Sequence, residues 1–66
     1  MNMIMRERWH AYVDKQTAEK YKQYFRDHGI YFEPSEDHDM VYISFYVNGE
    51  ELMNLEKWIE GAVMNG

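Results

Sequence analysis

An α+β fold with the element order β-α-β-β-α follows from three observations on the sequence. Two short stretches alternate apolar and polar residues with a period of two: RWHAYV at 8–13 and VYISFYV at 41–47. Two longer stretches space their apolar residues three and four apart, Ala18–Tyr21–Phe25 and Leu52–Leu55–Ile59–Ala62, as a helix with one buried face does. A third short alternation, Ile30 to Glu33, follows directly on the first helical run.

Taken in order, strand 1 puts Trp9, Ala11 and Val13 on one side and Arg8, His10 and Tyr12 on the other, with Ile4 as its earliest start. Asp14 is the N-cap candidate for the first helix, with Thr17 as a second. Gly29 suits the left-handed position that ends a helix, and Ile30 can then pack back on Phe25 as in a Schellman ending. Strand 2 places Ile30 and Phe32 opposite Tyr31 and Glu33. The chain's single proline lies in EPSEDHD, residues 33–39, which is expected to be a loop. Strand 3 points Val41, Ile43, Phe45 and Val47 to one face and Tyr42, Ser44 and Tyr46 to the other. Asn48 and Glu51 then form a capping-box pair for the second helix. Its apolar stripe has Val63 nearby, Met53 on the opposite side and Trp58 at the margin.

A right-handed crossover from strand 1 to strand 2, with strand 3 returning between them, gives a three-stranded antiparallel sheet in the order 1-3-2. Both helices are expected on the face carrying Trp9, Ala11, Val13, Ile30, Phe32, Val41, Ile43, Phe45 and Val47. In topology this resembles a ferredoxin-like fold lacking its last strand. Strand 1 is then an unpaired edge, through which a homodimer could form.

Residues 1–66 are expected to make a single compact domain, near the lower limit for a core without staples. The aromatic fraction of 17% supplies much of that core, because aromatic side chains bury a large area each. The chain has no cysteine, so disulfides and thiolate metal sites are excluded. The charged residues Arg6, Glu7 and Arg8 cut short the apolar start, and no stretch is long enough to span a bilayer. A soluble cytoplasmic protein is the expectation.

Charge is distributed unevenly. Residues 1–33 carry six basic and five acidic side chains, a net of +1; residues 34–66 carry seven acidic side chains and only Lys57, a net of −6. Direct binding to nucleic acid is disfavoured, since phosphate neutralisation needs clustered Lys and Arg. The acidic half would instead be drawn to a basic surface.

Catalysis is not expected. No serine stands in a G-x-S-x-G context, and a Ser/His/Asp arrangement conflicts with the expected fold. Glu33, Glu36, Asp37, His38 and Asp39 crowd one loop without any calcium-loop or H-E-x-x-H pattern, so neither metal nor cofactor is expected. The outer sheet face is more informative: it gathers Tyr12, Tyr31, Tyr42 and Tyr46. Aromatic sheet faces stack bases in RNA-recognition domains, but DMVYISFYV lacks their basic and small residues. Single-stranded nucleic-acid binding is thus a minor alternative. Tyrosine combines contact area with a polar tip and is enriched where proteins meet.

Glu33, Glu36, Asp37, Asp39, Glu50, Glu51, Glu56 and Glu60 form the candidate acidic array, with one group before strand 3 and another at the helix start after it. The expected function is a small non-enzymatic inhibitor or adaptor that docks on a basic, nucleic-acid-handling surface of a larger protein. In size, charge and compactness the chain resembles the small acidic anti-CRISPR and anti-restriction proteins of phages. That resemblance implies that its carboxylates take the place of phosphates. The alternative is a homodimeric regulatory or small-ligand-binding domain.

Overall fold

The computed structural model describes residues 5–64. Strand β1 (Glu7–Asp14) leads into helix α1 (Lys15–His28), then strands β2 (Phe32–Asp37) and β3 (Met40–Val47), and finally helix α2 (Gly49–Met64). The sheet has the order β1-β3-β2, antiparallel throughout, so the α+β arrangement read from the sequence is the one observed. Two positions assigned from the sequence, Ile4 and the side chain of Val63, lie outside the described residues.

Local chemistry explains where each helix begins and ends. The Asp14 carboxylate accepts the Thr17 N–H at 2.9 Å, which satisfies one of the orphan donors of the first turn of α1. Gly29 takes φ 65°, a left-handed conformation that glycine adopts without steric cost. There its N–H donates to the Arg26 carbonyl (3.4 Å), and the Ile30 N–H donates to that of Phe25 (2.8 Å). These are the two bonds of a Schellman ending. At the start of α2 the capping box is complete. Glu51 N–H donates to Asn48 Oδ1 (2.8 Å), and Asn48 N–H donates to Glu51 Oε1 (2.9 Å).

Both helices cover one face of the sheet. Ala18, Tyr24 and Phe25 from α1 and Leu55 from α2 close over Val41, Ile43, Phe45 and Val47, with Ile30 at the corner. Phe25 lies at the centre, its ring 4.9 Å from Phe45 and 5.3 Å from Phe32. Ala11, Val13, Phe32, Leu52 and Ile59 pack around this group half-buried.

Two expectations are corrected. Residues 33–37 are not loop but strand, paired from Phe32↔Phe45 to Asp37↔Met40, and the turn shrinks to His38 and Asp39. Pro, Ser, Glu and Asp are poor strand formers. Here, however, the central strand β3 offers a free row of N–H and C=O groups, and pairing them outweighs local preference. Pro34 is tolerated because β2 is an edge strand, and His38 absorbs the tight reversal at φ 59°. The second correction concerns Trp9, assigned to the core face. It does stand on that face, opposite Phe45, but remains 41% exposed because β1 borders the sheet and nothing covers its far side among the described residues.

Candidate protein-contact face

Facing residues of antiparallel strands share a side of the sheet, so the register defines the face that the helices leave open. Its central row, on β3, is Tyr46, Ser44, Tyr42 and Met40. Arg8, His10, Tyr12 and Asp14 flank it on β1, and Glu33, Ser35 and Asp37 on β2. Tyr31 stands just before β2, its carbonyl accepting the Tyr46 N–H at 3.3 Å and its ring 6.0 Å from that of Tyr46. All four tyrosines read from the sequence therefore share one surface. Tyr31 is 62% exposed, Tyr12 54% and Tyr42 39%; Tyr46 is half-buried beside Tyr31.

These side chains are held in place from within the face. The Tyr12 hydroxyl reaches across β3 to donate to the Asp37 carboxylate on β2 at 3.1 Å, and this hydrogen bond raises the phenol above its usual pKa of 10.0. His10 stacks on Tyr42, with ring centroids 5.2 Å apart and planes within 28°. Such contacts reduce the rotamer freedom a tyrosine would lose on meeting a partner.

The acidic residues fall into separate groups. Glu33 stands on the tyrosine face, as its alternation with Phe32 predicts; extending β2 through the expected loop adds Asp37 to that face, and Asp39 sits in the turn at its end. Glu36 points to the helix side and pairs with Lys15 at 3.4 Å, both exposed. Glu50 and Glu51 begin α2, at the far end of β3, about 24 Å away along the strand. Glu51 has other partners: besides its cap, it takes two bonds from Arg6, Nε at 3.1 Å and a terminal nitrogen at 2.8 Å. The Arg6 contact, followed by the cap, holds its carboxyl below the ordinary glutamate pKa of 4.5. Glu56 and Glu60 are exposed along α2, where the Glu56 charge adds to burial in raising the Tyr21 phenol.

One contact was not read from the sequence, which was weighed only for a full Ser/His/Asp arrangement. His10 Nδ1 lies 3.2 Å from Ser44 Oγ, and Arg8 donates to the same oxygen at 3.5 Å. The pairing His10↔Ser44 creates this cluster, and only the register could have revealed it. Ser44 is 4% exposed, and among the described residues no carboxylate bonds the other nitrogen of His10. The bond ties β1 to β3 and satisfies a buried hydroxyl.

No helix among the described residues is long and apolar enough to cross a membrane. Comparison with protein-family models, with curated proteins and with solved structures returns no match.

Proposed function

We propose that this protein is a non-enzymatic binding module, an inhibitor or adaptor that docks on a basic surface of a larger protein through its open sheet face. The observation that carries this reading is the exposure of Tyr12, Tyr31 and Tyr42 together on the side that neither helix covers. Tyrosine anchors at the centre of an interface supply most of its affinity. Supporting the choice of a basic partner, Glu33 and Asp37 lie on the same face and Asp39 at its end. Carboxylates so placed steer a cationic surface toward the tyrosines and occupy positions that phosphates would otherwise take. Glu50 and Glu51, at the other end of β3, are left as helix-start residues with structural work of their own.

Affinity capture with the intact chain, followed by mass spectrometry, tests the reading. Wild-type protein should retain a basic partner, less of it as salt rises. Replacing Tyr31 and Tyr42 by serine should weaken that binding by roughly thirtyfold or more, and Glu33→Lys with Asp39→Lys should chiefly slow association. If both pairs of changes leave the captured partner and its affinity unaltered, the face is not the docking surface.

A further inference from the structure

The two edges of the sheet are not equivalent. The β2 edge carries Glu33, Pro34, Glu36 and Asp37: one position without an N–H, and three carboxylates, two of which (Glu33 and Asp37) confront each other when self-pairing is centred on Ser35. These are the features that prevent a sheet edge from recruiting another strand. The β1 edge has neither. Its eight residues pair with β3 in unbroken register, with single carboxylates only at its two ends, Glu7 and Asp14, and Arg8, His10 and Tyr12 alternating with Trp9, Ala11 and Val13 between them.

We infer that β1 pairs with β1 of a second copy of this chain, antiparallel about a two-fold axis at Ala11. Facing residues must share a side of the sheet, so a symmetric pairing is centred on a residue. The two registers with fullest overlap are centred on His10 and on Ala11. Centring on His10 sets Glu7 against the partner's Val13 on the apolar side and one imidazole against the other. Centring on Ala11 satisfies every pair. Arg8 meets the partner's Asp14, Trp9 meets the partner's Val13, and His10 meets the partner's Tyr12. The two Ala11 residues meet at the axis, where a small side chain allows close approach. At the end of the pairing Glu7 comes near the partner's Lys15, the first residue of α1, which in its own chain also lies 3.4 Å from Glu36.

This register also accounts for Trp9, 41% exposed on the helix side at the border of the sheet. Beside the partner's Val13 it would continue the apolar layer from one copy to the next. The result is a six-stranded sheet in which the two open faces lie side by side and double the tyrosine surface. The inference is independent of what that surface binds, since it rests on the edge and not on the face.

Light scattering and sedimentation equilibrium on the intact chain should show a dimer. The chain has no cysteine, so single replacements Trp9→Cys, His10→Cys, Ala11→Cys and Tyr12→Cys can be compared under mild oxidation. Ala11→Cys should crosslink to itself most efficiently. Because a core-facing replacement could impair folding, surface charges give a second test. Glu7→Lys alone and Lys15→Glu alone should each weaken self-association about threefold to tenfold, and the two together should restore it. A chain that stays monomeric to about 1 mM overturns the inference. So does crosslinking that is greatest at another position, or a charge swap that fails to rescue.

Discussion

Glu51 holds two structural tasks in one carboxylate: it closes the capping box of α2 and receives a bidentate contact from Arg6, 45 positions away in sequence. The pKa depression has a definite consequence for stability. A carboxyl whose folded pKa lies below its unfolded value contributes above the unfolded value, and the contribution is lost as pH falls through the folded one. Glu51, lowered from 4.5, and Asp14, lowered from 3.8 by its Thr17 bonds, should therefore make unfolding easier as pH drops below about 4. Glu51→Gln keeps a cap acceptor but not the charge, so its Tm should depend less steeply on pH over that range. Equal acid slopes for wild type and Glu51→Gln in thermal melts would refute this account. Asn48→Ala removes the other half of the box and should cost about 1 kcal/mol in urea unfolding.

At the scale of elements, β3 is the part on which the others depend. It has two strand partners and presents Val41, Ile43, Phe45 and Val47 to both helices, while among the described residues its neighbours each have a free edge. Removing one methyl from its centre, Ile43→Val, should cost about 1 kcal/mol. Phe25→Ala should cost about 3–5 kcal/mol, comparable with the whole stability of a domain this small. Circular dichroism should then show Phe25→Ala largely unfolded at 37 °C and Ile43→Val folded with a lower Tm. The end of α1 is equally sensitive for a backbone reason. Gly29→Ala forces a β-carbon into a left-handed conformation and should destabilise by about 1–2 kcal/mol, although nothing lies within 4 Å of the added carbon.

For the whole molecule, the arrangement of layers decides what is available for contact. Two helices on one side leave the other side of the sheet uncovered, and that side carries three exposed tyrosines. Replacing Tyr31 by serine should change Tm by no more than a degree or two, since an exposed residue contributes little to stability. The same replacement should weaken partner binding strongly. A large drop in Tm would mean that the tyrosine pair Tyr31–Tyr46 chiefly supports the sheet.

Much of this design was legible residue by residue. Asp14, Gly29, Asn48 and Glu51 announce the helix boundaries because caps are local devices, complete within a few residues. The inner and outer faces of VYISFYV follow from the period of two alone. What could not be read is whatever depends on pairing. PSED has the composition of a loop and becomes strand only because β3 needs a neighbour. Trp9 has the parity of a core residue but the exposure of an edge. His10 meets Ser44 and Tyr12 reaches Asp37 through the register of strands far apart in sequence, and Arg6, just before β1, finds Glu51 at the start of α2.

By itself, then, the sequence determined the elements, their order, their caps and the face each strand presents, because periodicity and capping act over a few residues. Tertiary structure alone decided how far β2 extends and so that Asp37 joins the tyrosines, which carboxylate is committed to Arg6 and which cross-strand side chains meet. The physical reason is that cross-strand neighbours depend on register: a shift of one residue would exchange the two faces, and only the packed core selects among the shifts.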